Sequence, residues 1–448
     1  MIRSLISTWP LFFGLALIMI GNGIQIVLLG LRASASGYSN LITGIMMGGY
    51  FLGIFIGSMV VPNTLSKVGH IRTFGALAAI ASASILMHLI LSDPISWSFL
   101  RVFTGFCYAG MYIVVESWLN ERATNETRGQ ILSIYMIITM TGLGVGQLIS
   151  GFDDGISYNL FLIASVLISL AVVPILITAA KAPDFEAPEM ISIRRLIQIS
   201  PLALVGLFVT GIVVAMLFGI GAIYAKNIGL NTLQTSLFMA STTVGVFCLQ
   251  YPLGKISDKF DRRAVILGIC LSAAIFALIL SLLEKNNFIF LLLFMSLYGG
   301  TSLALYSLFI AHANDYLPPS QMVSTSSSLV MVNGIGAVIG APLVAASMDL
   351  LGNWSYFMLI GIFHIGLALF IGYRMSVRPS IPTEAQGPLV LLPETATATA
   401  VSLNPEAEWI ETNPDINAEA NPLMDNPYLD RKSTRLNSSH RCISYAVF

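Results

Sequence analysis

Twelve apolar runs, each close to 20 residues long, recur along this 448-residue chain with mostly short segments between them. About 20 residues is the length a helix needs to cross roughly 30 Å of hydrocarbon. In that medium every backbone N–H and C=O must be satisfied within the chain, so runs of this length dictate helices. Strands of a membrane barrel would instead alternate over segments of about ten residues with a polar lumen face. Composition agrees: 10% of the residues are charged, against about a quarter in soluble domains. The chain reads as an all-α membrane protein surrounded by a lipid bilayer.

The spans fall at 9–29, 40–61, 74–92, 95–118, 130–151 and 157–178, then at 201–222, 232–253, 264–283, 288–312, 323–347 and 355–375. Between the sets lies the only long internal connection, polar, proline-containing and ending Ile193-Arg194-Arg195-Leu196. The predicted organisation is therefore a six-helix half over 1–180, a cytoplasmic linker over 181–200 and a second six-helix half over 201–375. Residues 376–430, rich in Pro, Ala, Thr, Asn and acids, read as a disordered acidic cytoplasmic tail. Residues 431–448 switch abruptly to a basic, serine-rich composition that resembles translated sequencing-adapter read-through, a suspected sequence artefact that is set aside. The N-terminal apolar run lacks an A-x-A cleavage site and reads as an uncleaved first helix.

Loop charges give the orientation. With a cytoplasmic N-terminus, the inside loops and helix ends carry fourteen Lys and Arg, and the outside loops only Arg32, Lys226 and Lys285. The positive-inside rule then places both termini in the cytoplasm of a cell, or inner, membrane.

Six charges crowd into residues 254–263, Gly-Lys-Ile-Ser-Asp-Lys-Phe-Asp-Arg-Arg, between the eighth and ninth spans. Such a segment must be a surface loop. Pro62–Arg72 follows the second span in the same way, with Lys67 matching Lys259 and His70 matching Arg262, but with Ser66 where Asp258 stands. Gly142-x-x-x-Gly146 in the fifth span is echoed in the eleventh by Gly336-x-x-x-Gly340, followed by Pro342. Small residues at this spacing let helices approach closely.

These features resemble the major facilitator superfamily. The loop at 254–263 is similar to its signature, Gly-x-x-x-Asp-[Arg/Lys]-x-[Gly/Asp]-Arg-[Arg/Lys]. Arg101-x-x-x-Gly105 is similar to its Arg-x-x-x-Gly motif in the fourth span. Gly142-x-x-x-Gly146-Gln147-x-x-Ser150-Gly151 resembles its antiporter motif, with Gln147 in place of proline and Ser150 in place of glycine. Val68-Gly69-His70-Ile71-Arg72 with Glu116-Ser117-Trp118-Leu119-Asn120 most resembles the YcaD-like branch. The resemblance implies two pseudo-symmetric six-helix halves of a monomeric secondary transporter, with spans one, four, seven and ten around a central cavity.

Candidate site residues follow from helical faces. Arg101, Tyr108, Tyr112 and Glu116 share a stripe of roughly 80° on the fourth span. An arginine in lipid costs several kcal/mol, so that face should look into the bundle. Asn22 and Gln25 share a face of the first span, and Tyr298, Ser302 and Tyr306 stand at i, i+4 and i+8 in the tenth. Arg101 and Glu116 are roughly 22 Å apart by helical rise, too far to pair. Snorkelling of Arg101 to the interface is the structural alternative, and packing with a satisfied hydroxyl is the bland reading of the tyrosines. His88 and His364 fall in the third and twelfth spans, which the resemblance implies are outer scaffold helices.

The charged loops suggest a cytoplasmic gate built from Lys67, Arg72, Arg128, Asp258 and Arg262, in which Asp258, Arg128 and Arg262 latch the outward-facing state. No catalytic constellation, metal-ligand spacing or phosphate-cradling loop is present, so no cofactor is called for and no enzyme activity is expected. A net charge of −1 gives no reason to expect a nucleic-acid partner. The four cysteines form no CxxC pair. Cavity-facing positions are aromatic, apolar or uncharged polar, which suggests a small neutral or amphipathic substrate. The partial antiporter motif favours a proton-linked exporter. An uptake symporter or facilitator is the alternative within the superfamily, and a membrane sensor or scaffold that transports nothing is the alternative outside it.

Overall fold

Helix boundaries follow local capping chemistry. In the computed structural model, which describes residues 2–124, 127–153, 157–177, 190–283 and 287–405 (2–7 by backbone only), every regular element is helical. The first half comprises α1 (Ile2–Ala35), α2 (Asn40–Val68), α3 (His70–Ile90), α4 (Pro94–Arg122), α5 (Arg128–Ile149) and α6 (Asn159–Leu176). A short linker helix, α7 (Ile193–Ile199), leads into α8 (Pro201–Asn227), α9 (Thr232–Ser257) and α10 (Arg262–Leu282). The second half closes with α11 (Phe288–Ser302), α12 (Ala304–Asn314), α13 (Pro319–Leu351) and α14 (Ser355–Val377). Ser39, Asp93, Ser200 and Asp261 each accept a backbone N–H in the first turn of the helix they open, and Asn231 with Gln234 makes a capping box. Such caps satisfy donors that would otherwise be orphaned at each helix start. Gly69, at φ 90°, ends α2 and opens α3 without an intervening loop, a conformation that residues with a Cβ rarely adopt.

Twelve spans result among the described residues, α11 and α12 together forming the tenth. Several run past the predicted limits: α2 extends to Val68 and α13 covers Pro319–Leu351. Hydropathy marks only the hydrocarbon segment, whereas a helix continues into its polar ends. In the tenth span Leu303 separates α11 from α12 but keeps helical dihedrals, φ −75° and ψ −24°, with its N–H bonded to Gly299 O at 3.0 Å, so the span is continuous.

Glycines set the packing within each half. A Cβ on Gly146 would stand 2.1 Å from Ile20 O, and one on Gly142 would stand 2.6 Å from Met19 Cβ, so α5 lies directly against α1. In the second half Gly336 and Gly340 bring α13 equally close to α8, at 2.1 Å from Phe208 O and 2.0 Å from Ile212 O. Gly105 seats α4 on α2, and Gly300 seats α11 on α9. The repeat of these contacts, 1 with 5 and 2 with 4 in each half, makes the internal symmetry structural.

The halves meet mainly through α2 with α13 and α5 with α9. On the face opposite the signature loop, Gly44 and Gly48 of α2 lie against Ala345 and Pro342 of α13. At the same face Asp349 accepts from Asn40 Nδ2 at 2.8 Å and from Leu41 N at 2.8 Å, and Asn227 Nδ2 donates to Asn40 Oδ1 at 2.9 Å. That face is shut, and the halves diverge towards the signature loop.

The tail differs from its expected disorder. Residues 379–405 turn back into the gap between the halves, with two 3-10 turns, Thr383–Ala385 and Ala400–Leu403. Ile381, Leu392, Ala396, Ala400, Val401 and Leu403 are buried there. The bulk acidity of 376–430 masked a local apolar stretch, Leu389-Val390-Leu391-Leu392, able to offset the entropy of ordering. The remainder of the expected tail and the suspected artefact lie outside the described residues.

Candidate functional site: a cavity between the halves

Asn22 of α1 organises the central site. Its Nδ2 donates to Tyr50 OH and to Tyr112 OH, each at 3.0 Å. One turn along, Gln25 Nε2 donates to Tyr108 OH at 2.9 Å. The tyrosine rings stack edge to face in sequence, Tyr50 against Tyr108 and Tyr108 against Tyr112. Polar tips thus interlock across α1, α2 and α4 while the ring bodies exclude water.

Arg101 lies over the face of Tyr50 with its guanidinium carbon 4.4 Å from the ring centroid. The residue is 2% exposed, and its Nε and Nη1 have no hydrogen-bond partner among the described residues. A guanidinium held away from bulk water costs several kcal/mol unless paired, and one aromatic face offsets only part of that. Asn22 Oδ1 and Gln25 Oε1 are likewise unsatisfied. Arg101 and Asn22 therefore bring unused donors and an unused acceptor to one space.

That space is a cavity of about 90 Å3, lined from the first half by Asn22, Tyr50 and Arg101, from the second by Phe218 and Asn333, and by Glu394–Thr397 of the tail. Tyr50 and Asn333 were not identifiable from the faces of single helices. Tyr50 becomes a site residue only because Gly105 seats α4 on α2 and brings Arg101 to it. Gln25, Tyr108 and Tyr112 stand behind this lining as its hydrogen-bonded support.

The other expected site residues lie elsewhere. Tyr298 and Ser302 turn towards α14, where Ser302 Oγ lies 3.3 Å from Tyr298 OH and 3.1 Å from His364 Nε2. Tyr306 reaches the tail at Ala396 O, 3.5 Å away. Glu116 is the one buried acid within the described spans. It accepts from Tyr135 OH at 2.6 Å and from Thr397 N at 3.1 Å, and it also pairs with Thr397 Oγ1. Gln147 is buried at the α5–α9 contact, its Oε1 3.5 Å from Thr243 Oγ1.

Among the gate residues, Lys67 and Arg72 are exposed and Arg128 is buried at the start of α5. Arg262 is also buried. Its Nη1 meets Asp315 Oδ1 at 2.6 Å, its Nε donates to Ser257 Oγ at 3.2 Å, and its Nη2 lies 3.6 Å from Asp258. His70, its counterpart in the first half, bonds Ser117 of α4 at 2.8 Å. Each opens the third helix of its half and ties it to the end of the fourth span. Asp349, by contrast, was missed: an acid on α13 that accepts the first N–H groups of α2, where the helix dipole favours negative charge.

A model of the Major Facilitator Superfamily matches residues 11–195 and 203–413. The chain belongs to the Major Facilitator Superfamily. It is 24% identical over 308 residues to an uncharacterized MFS-type transporter, YcaD, of Escherichia fergusonii, covering 68% of this chain and 79% of that one. The YcaD of Salmonella arizonae is 23% identical over 352 residues, covering 78% and 91%. In fold the chain resembles the nucleoside transporter NupG, with a TM-score of 0.66 at 12% identity, covering 82% of this chain and 98% of that one. A bacterial homologue of the human lysosomal transporter Spinster, inward-facing and occupied, matches with a TM-score of 0.66 at 15% identity, covering 84% and 97%. The twelve-span, two-half architecture is that of a multi-pass membrane transporter, and secondary transport is the activity class of this superfamily member.

Proposed function

We propose that the chain moves a small amphipathic solute across the cytoplasmic membrane by alternating access, with the signature-loop face and both termini in the cytoplasm. The observation that carries this reading is Arg101, buried over Tyr50 with two nitrogens unpartnered in a cavity between the halves. Apolar lining from α2, α8 and α13 takes the body of the solute. Arg101 takes a polar end bearing a hydrogen-bond acceptor or negative charge, and the free Asn22 oxygen accepts from a donor on the same end. The fourteen-to-three asymmetry of loop cations supports the orientation.

Proton-linked export is the direction and coupling we favour. Glu116 is a buried carboxylate hydrogen-bonded to Tyr135 at the boundary between cavity and signature-loop face, suited to exchanging a proton as the halves rock. The test has two stages. A thermal-shift screen of purified protein against metabolites and drugs identifies solutes that stabilise the native chain but not Arg101→Gln. Flux of those solutes into inside-out proteoliposomes is then measured with and without an imposed pH gradient. Flux indifferent to the gradient removes proton coupling, and solutes that stabilise Arg101→Gln equally remove the assigned site.

A further inference from the structure

We propose that residues 387–404 form a self-inhibitory plug, seated in the vestibule at the signature-loop face, which must leave before the halves can close there. The inference rests on the alternating-access reading for the word inhibition, but not for the seat itself.

The seat is built along its whole length. At its entrance the signature loop holds the tail backbone: Leu389 N donates to Asp258 Oδ1 at 2.8 Å, and Arg262 Nη2 donates to Gly387 O at 2.6 Å. Asp315 Oδ1 accepts Gly387 N at 3.1 Å. Midway, Ser307 Oγ donates to Leu392 O at 3.0 Å and lies 2.9 Å from Leu392 N. At the deep end Thr397 N meets Glu116 of α4, and Ser327 Oγ of α13 donates to Ala398 O at 3.1 Å. The 3-10 turn Ala400–Leu403 then packs on α4, α5 and α13. One short peptide thus bonds to both halves.

Two consequences oppose transport while the plug is seated. Glu116 of the first half and Ser327 of the second are separated by Thr397 and Ala398, so α4 and α13 cannot meet on this face. The cavity left beyond the tip, about 90 Å3, is well below the roughly 300–1,000 Å3 of sites for small organic ligands. The plug also occupies Asp258 and Arg262, the loop groups expected to latch the halves together.

Release is built in as well. Glu394 is carried into the cavity with its Oε1 unpartnered, and burial pushes its carboxyl up to about 8. It shares that cavity with Arg101 of α4, Tyr50 of α2 and Asn22 of α1, while Tyr306 of α12 and Glu116 of α4 face the same stretch of tail. Once the tail is in water, Glu394 returns towards 4.5. The seated form binds the extra proton, so seating is strongest below 4.5 and weakens as pH rises from there through about 8.

The test uses a single cysteine at Ser327, in a full chain otherwise freed of cysteines, labelled by a membrane-impermeant maleimide from the signature-loop face. Seating predicts at least tenfold slower labelling in this chain than in the same chain with Leu392→Asp, which puts a charge at a buried tail position. A chain ended at Gln386 should label fast too, and a synthetic peptide of residues 387–404 should slow it again. A control cysteine at Asn353, labelled by the same reagent applied from the opposite face, should react alike in all forms and so certifies folding. Equal rates at position 327 in the full, substituted and shortened chains overturn the plug. Labelling needs no solute, so protection with no flux of any solute would sink the transport reading and leave the seat standing. Where flux is found, the shortened chain should exceed the full chain several-fold, and equal flux overturns the inhibitory role.

Discussion

Arg101 concentrates the electrostatics of the cavity in one side chain. Its planar fork over Tyr50 can bind a carboxylate or phosphate edge in two places, which an ammonium cannot copy. Arg101→Lys should therefore fold normally yet weaken solute binding about tenfold or more, read as a loss of ligand-induced thermal shift at fixed solute concentration. Retained affinity would show that only charge matters there. Glu394 offers a second single-residue experiment, because Gln keeps its shape without titrating. Glu394→Gln should abolish the decline in cysteine protection between pH 5 and pH 8 and leave the site protected throughout, with the native chain losing up to about tenfold per pH unit within its window. A native-like slope in the Gln variant would assign the titration to another group.

Helices meet here through missing side chains. Because a Cβ at Gly146 would lie 2.1 Å from a backbone oxygen of α1, Gly146→Ala must part α5 from α1. A cost of about 1–3 kcal/mol is expected, as for overpacked cores, and should appear as a lowered midpoint of thermal unfolding. Gly268→Ala, with open space around its Cβ, is the matched control. At this scale the sequence was informative for a physical reason: hydrocarbon demands long uniform runs, and the glycine spacing in 142–146 and 336–340 survives in both halves. What depends on contacts between distant segments was not legible. No periodicity announces that Tyr50 will meet Arg101 or that Asp349 will cap α2. The run at 389–392 lay in plain view, but the acidic and proline-rich residues around it dominated the average.

For the molecule as a whole, one face is closed by direct contact of the halves and the other by the chain's own tail. The closed face relies on Asp349, whose carboxylate accepts three hydrogen bonds from Asn40 and Leu41. Asp349→Ala should bias the population towards opening there. A cysteine at Phe218 in the cavity would then react several-fold faster with an impermeant reagent applied on that side. An unchanged rate would mean that the glycine contacts of α2 with α13 hold the face shut unaided.

Val377 ends the last span, and the tail reaches the signature loop at Gly387, after Ile381 has packed on Ile199, Tyr316 and Leu317. So short a leash keeps the peptide at an effective concentration on the order of millimolar. A contact with a dissociation constant of about 0.1 mM between separate molecules is then seated about nine-tenths of the time, and about 1.4 kcal/mol in either direction changes that occupancy ratio tenfold. A competing solute on the signature-loop side would have to approach millimolar levels, or bind much more tightly, to displace it. The same leash makes the tail a setting for throughput, adjustable by anything that lengthens, modifies or engages the residues beyond Val377.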